Sequence, residues 1–221
     1  MISYIQILVG SILLSLIHAS IPNHWMPLIA IAKTEKWNVR DTLSVTAITG
    51  IAHTLSTIMI GIIVGILGYK LSSTYQFITK IAAPLILITL GLIYIILDRK
   101  QNQHHHHHHI NTDGLIHKKT KGKAAIITTL AIGMFFSPCI EIEAYYFTAS
   151  SIGWLGIITV SVIYFFITII GMLLLVYLGT KGLEKLNFHF MEHHEKFISG
   201  VTLVILGFIA FLSIHAAALY T

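Results

Sequence analysis

Charged residues are scarce in this chain, and their scarcity limits the class of protein it can be. Asp, Glu, Lys and Arg make up 10% of the 221 residues, whereas hydrophobic residues make up 55%. Because a soluble domain carries about 25% charged residues, the composition excludes an ordinary soluble protein and predicts an integral membrane protein. The alternating pattern of a membrane β-barrel is also missing, so the spans are predicted to be helices.

Cysteine is nearly absent, since Cys139 is the only one. A single cysteine excludes an internal disulfide and weighs against dithiol redox chemistry, which needs a second thiol. A thiol-electron conduit is therefore the least favoured function. The sequence also has no Walker motif, and its basic residues lie beside the apolar runs. Neither an organic cofactor nor a nucleic-acid partner is expected, and membrane lipid is the expected partner of the apolar surface.

Long apolar runs are abundant. A helical span needs about 20 apolar residues, and six runs meet this requirement: 2–31, 42–68, 76–97, 124–149, 154–179 and 197–219. The first has no basic start and no cleavage pattern, so it is interpreted as a span and not as a signal peptide. A polar loop at 98–123 separates a first half (1–97) from a second half (124–221).

Three spans in each half make the two halves enter the membrane in opposite senses, as in an inverted repeat. Two pairs of segments support this arrangement: "SIPNHW" with "FSPCIE", and "IGIIVGILGYKL" (60–71) with "IGMLLLVYLGTKGL" (170–183). The predicted fold is therefore an all-α integral membrane protein. Its six transmembrane helices form a 3+3 inverted repeat, in which prolines break the first and fourth helices.

Basic residues are distributed unevenly between the two sides of the membrane. Lys70 and Lys80 lie on the side of the N-terminus, and the other twelve lie opposite: Lys33, Lys36, Arg40, Arg99, Lys100, Lys118, Lys119, Lys121, Lys123, Lys181, Lys185 and Lys196. Lys and Arg accumulate on the cytoplasmic side. We therefore predict a multi-pass protein of the cell membrane with both termini extracytoplasmic and the central loop cytoplasmic.

A small set of polar residues falls at membrane depth. Apart from hydroxyls and Asn23, its members are His18, His24, His53, Cys139, Glu141 and Glu143. A charged acid at the bilayer centre costs roughly 2.5–3.5 kcal/mol and is by default functional or paired. An intact helix would point His18 and His24 apart, but Pro22 lies between them and Pro138 precedes the glutamates. We expect an unwound segment at 21–25, a second break at Pro138, and a shared cavity lined by these side chains.

Imidazole, thiolate and carboxylate together are ligands for first-row transition ions such as Ni, Co and Zn. The sequence therefore predicts an intramembrane site for such an ion. Each residue alone has a plainer interpretation: a single histidine serves as a hydrogen-bonding residue, a single cysteine as a small apolar one, and the glutamates as a proton relay. The central loop contains six consecutive histidines: His104, His105, His106, His107, His108 and His109. If they are natural and not an engineered tag, they would collect metal ions.

Three landmarks resemble the NicO-type nickel/cobalt efflux family: "IHASIPNHW", "VTAITGIAHTLSTI" and "SPC", together with the His-rich central loop. More distantly, the chain is similar to the cytochrome-biogenesis and LysE-like six-span membrane proteins. The resemblance implies that His18, His24, His53 and Cys139 hold the metal. Two departures from the family pattern are the residues flanking His24 and the Glu-x-Glu after Cys139.

The leading expectation is a divalent transition-metal transporter of the Ni/Co type that works as an exporter. Protons are the expected coupling ion, and the protein can form a homo-oligomer. The alternative is an intramembrane zinc metalloenzyme of the hydrolase type, in which a glutamate serves as general base.

Overall fold

The computed structural model describes residues 3–74, 81–101, 122–181 and 195–219. The α-helices of these residues are α1 (Tyr4–Ser20), α2 (Pro22–Thr34), α3 (Val39–Thr74), α4 (Ala83–Gln101), α5 (Lys123–Phe135), α6 (Ile140–Ala149), α7 (Trp154–Thr180) and α8 (Glu195–Leu219). A 3-10 turn at Ser150–Ile152 joins α6 to α7. The predicted metal-collecting histidines at 104–109 lie outside the described residues.

Three helical stretches are long and apolar enough to cross a membrane: Tyr4–Thr34, Val39–Leu71 and Trp154–Thr180. A fourth crossing is formed if α5 and the α6 stretch to Ile152, which meet at a bend of 48°, count as one span. Two shorter apolar helical stretches cover Ala83–Asp98 and Lys196–Leu212. The prediction of an all-helical fold is therefore confirmed for the described residues, and three or four candidate spans fit the prediction of a membrane protein.

The first predicted break occurs, but it is shorter than expected. Helix α1 ends at Ser20, Ile21 has an extended backbone with φ −65° and ψ 125°, and α2 begins at Pro22. The prediction of an unwound segment at 21–25 is wrong beyond Ile21. A proline in the first helical position loses no hydrogen bond and has the φ angle a helix needs, so Pro22 ends one helix by starting the next.

The second break is longer and lies around Pro138. Helix α5 ends at Phe135, and Cys139 is the extended N-cap of α6, with φ −99° and ψ 107°. Proline has no N–H for the carbonyl four residues earlier, which here belongs to Met134. That carbonyl is consequently free of a regular helical partner, and the chain turns before α6 begins.

The helices pack so that both breaks face α3 and α7. Helix α1 lies along α7, α5 and α6 lie along α3, α3 contacts α7, and α4 pairs with α8. Small residues allow these approaches: a Cβ atom added at Gly61 of α3 would collide with the ring of Tyr146, and one at Gly171 of α7 would lie 2.7 Å from the Cβ of Ala19. The polar residues of the two breaks are thereby brought together.

Two apolar clusters flank these polar residues. The first, which we call the outer cluster, includes Leu14, Ile142, Tyr146 and Ile157 and extends to Cys139. The second includes Trp25, Leu28, Val45, Met172 and Val176. Cys139 in the first cluster and Trp25 beside His24 in the second show that the breaks lie where the two clusters meet.

Candidate metal centre

Four polar side chains from four chain segments meet inside the helical bundle. His18 lies in the last turn of α1, His24 in the first turn of α2, His53 in the middle of α3, and Cys139 at the N-cap of α6. All four are buried, and His53 has no exposed surface. Each offers one ligand atom, and these atoms all lie within 4.8 Å of one another. The predicted convergence of the three histidines is therefore found, and the cysteine joins them.

The spacing of the four atoms suits a small metal ion. The Cys139 Sγ atom lies 3.2 Å from the Nε2 atom of His18, 3.4 Å from that of His53 and 3.9 Å from that of His24. The Nε2 atoms of His18 and His53 are 3.4 Å apart. A tetrahedral zinc-type site with ordinary Zn–N and Zn–S bonds separates its ligands by roughly 3.3–3.6 Å. The cluster thus has nearly the dimensions of a four-ligand site.

One histidine is held in the protonation form that metal binding requires. The Nδ1 atom of His53 lies 3.2 Å from the carbonyl oxygen of Met134. A carbonyl can only accept, so Nδ1 carries the proton and Nε2 of the neutral ring keeps a lone pair that faces the other ligand atoms. Because Pro138 leaves this carbonyl without its regular helical partner, the same break that positions Cys139 also orients His53.

A tyrosine that the sequence analysis did not identify completes the cluster. Tyr164 of α7 has no exposed surface. Its hydroxyl lies 3.3 Å from Nε2 of His53 and 3.4 Å from Nε2 of His18, and it donates to Thr57 over 3.5 Å. One signal was available. If the alignment of segment 60–71 with segment 170–183 is continued toward the N-terminus, His53 pairs with residue 163. Residue 163 directly precedes Tyr164.

The two predicted acidic ligands are not members of the four-residue group. Glu141 lies in the first turn of α6 and lines a cavity that His18, His24 and Cys139 also line. Both carboxylate oxygens of Glu143 are buried and have no hydrogen-bond partner among the described residues. Glu141 therefore lies next to the four-residue group, whereas the carboxylate of Glu143 is buried in separate surroundings.

The chemistry of the group is that of a borderline-soft site. Three imidazoles and one thiolate suit Zn, Ni or Co better than Mg or Ca, which prefer oxygen ligands. Four converging protein ligands also fill a tetrahedral shell, whereas catalytic zinc sites keep one position open for water. The arrangement can therefore bind a divalent transition ion.

Comparison with protein-family models, with curated proteins and with solved structures finds no match to this chain.

Proposed function

We propose that this protein is a divalent transition-metal transporter of the nickel/cobalt type that binds its cargo within the membrane. The observation that carries the proposal is the buried group of His18, His24, His53 and Cys139, which lies where two apolar helical stretches are interrupted. Non-helical backbone is tolerated at membrane depth only where it is buried in protein or lines a cavity. A ligand site at such interruptions is typical of transporters.

The proposed architecture is six spans arranged as a 3+3 inverted repeat, with α1–α2 and α5–α6 as the broken first and fourth spans. The packing supports it. Helix α1 lies along α7 while α5 lies along α3, and these two contacts exchange under the repeat. The contacts of α3 with α7 and of α4 with α8 would each map onto themselves. Helices α4 and α8 would then be the third and sixth spans.

Export is the proposed direction. The charge asymmetry assigns the His-rich loop to the cytoplasm, where it would collect excess ion. Moving a dication outward against 100 mV costs about 4.6 kcal/mol, and no ATP-using motif is present, so we propose proton coupling. The resemblance to the NicO-type efflux family supports the same direction, and a homo-oligomer is compatible with it.

The alternative function, an intramembrane zinc hydrolase, would use the same histidines to activate a water molecule. That chemistry needs a ligand position open to water and a base beside it. Here the thiol of Cys139 occupies the fourth position and neither glutamate belongs to the group. This observation favours an ion that is bound as cargo over one that is retained for catalysis.

Co²⁺ spectroscopy of the purified full-length chain tests the proposal, because thiolate–Co²⁺ charge-transfer bands and tetrahedral d–d bands report the ligands directly. We expect about one Co²⁺ per chain. His18→Ala and His24→Ala should abolish binding, and Cys139→Ser should remove the charge-transfer band and weaken binding by more than about 100-fold, beyond the usual effect of a supporting residue. His117→Ala, in the central loop, is the matched histidine control.

Reconstitution into liposomes separates the two functions. A transporter should move ⁶³Ni²⁺ or ⁵⁷Co²⁺ across the bilayer, with stimulation by a proton gradient, and His53→Ala should stop the movement. Binding of the ion without its passage would favour the metalloenzyme. Absence of binding in the wild-type chain would refute both functions.

A further inference from the structure

A cavity of about 230 Å³ adjoins the metal group. At one end it is lined by His18, His24 and Cys139, and at the other by Leu97 of α4 and Lys196 of α8. Glu141 lies on its wall. The cavity therefore connects three of the four ligand residues with the ends of two helices.

Those helix ends belong to the cytoplasmic side under the charge asymmetry of the chain. Leu97 lies near the end of α4, just before Arg99 and Lys100, and Lys196 lies in the first turn of α8. All three basic residues belong to the set of twelve that the positive-inside rule assigns to the cytoplasm. The cavity therefore runs from the metal group toward the cytoplasm.

The opposite side of the metal group is closed by apolar packing. Leu14 lies one turn of α1 outward of His18, and it belongs to the outer cluster together with Ile142, Tyr146 and Ile157. Each of these four side chains is at most 2% exposed. Close-packed apolar side chains leave no path for a hydrated ion. Among the residues that the structure describes, the metal group is thus accessible from one side only.

We propose that this cavity is the cytoplasmic loading vestibule of the metal site, and that the carboxylate of Glu141 is the first protein ligand an incoming divalent cation meets. The inference rests on the proposed transport function and adds the side from which cargo enters and the residue that receives it. A hydrated Ni²⁺ or Co²⁺ ion enters beside Lys196, exchanges water for an oxygen of Glu141, and then passes to the thiol and imidazoles.

The chemistry of the lining supports this order of events. Glu141 is the one acidic residue among the described residues of the lining, and its carboxylate makes the cavity attractive to a dication. An oxygen ligand holds such an ion less tightly than a thiolate and imidazoles do. The hydroxyl of Tyr94, which also lines the cavity, lies beside the carboxylate of Glu141. Glu141 follows Cys139 by two residues at the start of α6, and both residues line the cavity, which makes direct transfer of the ion possible.

The only cysteine of the chain provides the test, because Cys139 itself lines the cavity. Full-length protein in inverted and in right-side-out vesicles is treated with a membrane-impermeant cationic methanethiosulfonate, and modification is measured by mass spectrometry. We expect modification of Cys139 from the cytoplasmic face only, and protection by Ni²⁺. Cys139→Ser is the blank. Ser137→Cys in the Cys139→Ser background is a second reporter, since Ser137 also lines the cavity and is exposed.

A cysteine at the other end of the bundle controls for the sidedness of the vesicles. Trp154 is 53% exposed at the start of α7, so Trp154→Cys in the Cys139→Ser background should react from the outer face only. Modification of Cys139 or Ser137→Cys from the outer face, or of neither from any face, would overturn the vestibule. Modification of Cys139 from the cytoplasmic face that Ni²⁺ does not prevent would support the vestibule but count against the transport function.

The role of Glu141 is tested by the rate at which Ni²⁺ protects Cys139. Glu141→Gln should slow protection by about 10-fold, the lower end of electrostatic effects on association. Binding at equilibrium should change by less than about 3-fold, because the four ligands remain. Glu143→Gln is the matched control and should leave the rate unchanged. An equal rate in Glu141→Gln and wild type would refute the role of Glu141, even if the site binds metal.

Discussion

At the scale of single side chains, Tyr164 is the residue with the most unusual surroundings. Its hydroxyl lies within 3.4 Å of two histidine nitrogens and donates to Thr57. A hydroxyl that is engaged with Thr57 presents its oxygen lone pairs toward the ligand atoms. Tyr164 therefore resembles the supporting residues that orient metal ligands in other sites, and it need not itself bind the ion.

Removing this hydroxyl should weaken metal binding without unfolding the protein. We expect Tyr164→Phe to lower Co²⁺ affinity by about 10- to 100-fold, the range for supporting residues, while the thiolate charge-transfer band persists at saturation. Tyr146→Phe is the matched control, since Tyr146 is equally buried and its hydroxyl contacts Ser161, outside the metal group. Equal losses in the two variants would show that Tyr164 acts only through packing.

The sequence supplied most of the site but not all of it. His18, His24, His53 and Cys139 were predictable because polar ligand types are rare in apolar spans, so their joint occurrence has meaning. Tyr164 was missed because tyrosine in an apolar helix is ordinary packing material. Glu141 and Glu143 as ligands stay a prediction: both lie outside the four-residue group, although Glu141 lines the adjoining cavity. Sequence shows that an acid lies near a cysteine, but only the path of α6 shows which way its carboxylate points.

At the scale of helices, the two proline breaks have different consequences. Pro22 begins α2 after a single extended residue, whereas the break at Pro138 bends the chain by 48° and presents both Cys139 and the Met134 carbonyl to the site. The extent of a break was not predictable, because a proline that starts a helix and one that interrupts a helix look alike in the sequence. The second break is therefore the more informative one to remove.

We expect Pro138→Ala to restore a continuous helix through α5 and α6 and to disrupt the metal group. An alanine supplies an N–H for the Met134 carbonyl and removes the roughly 3 kcal/mol penalty for proline in a helix interior. His53 then loses its orienting acceptor and Cys139 changes position, so Co²⁺ affinity should fall by more than about 100-fold. The melting temperature in detergent should stay equal or rise. Pro84→Ala, in the first turn of α4 where proline is tolerated, should change neither property.

Helices α4 and α8 are joined through glycine. A Cβ atom on Gly91 would lie 2.5 Å from the carbonyl oxygen of Gly200, and one on Gly200 would lie 2.6 Å from that of Gly91. Backbone atoms cannot move aside as a flexible side chain can. Gly91→Ala and Gly200→Ala should each lower the free energy of unfolding by about 1–3 kcal/mol, the usual cost of overpacking.

Thermal unfolding in detergent checks this expectation, and Gly133→Ala serves as its control. Gly133 lies inside α5, and an added Cβ there meets nothing within 4 Å. Alanine is preferred to glycine in a helix, so the control should be as stable as wild type or slightly more stable. A loss of stability in the control as large as in the other two variants would mean that glycine flexibility, and not close contact, is what α4 and α8 require.

At the scale of the whole molecule, the composition alone predicted a helical membrane protein, and the described residues contain three or four helices able to span. The count of six spans stays a prediction. The predicted span 2–31 contains two helices, α1 and α2, which meet at Ile21, and the predicted span 124–149 contains α5 and α6, which meet at a bend. Hydropathy measures where apolar residues lie, whereas the path of the backbone decides how many of them form one straight helix.

The orientation in the membrane decides from which side the proposed vestibule is loaded, and we predict it from the division of basic residues, twelve against two. Lys and Arg near span ends are retained in the cytoplasm. An alkaline phosphatase fused after Thr221 should therefore be active outside the cytoplasm, and a fluorescent protein inserted after Gln101 should be fluorescent inside it. Replacing Lys118, Lys119, Lys121 and Lys123 by glutamine should reduce phosphatase activity, because much of the cytoplasmic charge beside the fourth span is lost.

Phosphatase that is inactive in the wild-type fusion, together with fluorescence of a fluorescent protein fused after Thr221, would reverse the orientation. The cavity beside Lys196 would then open outward, and the protein would load its ion from outside, as an importer does.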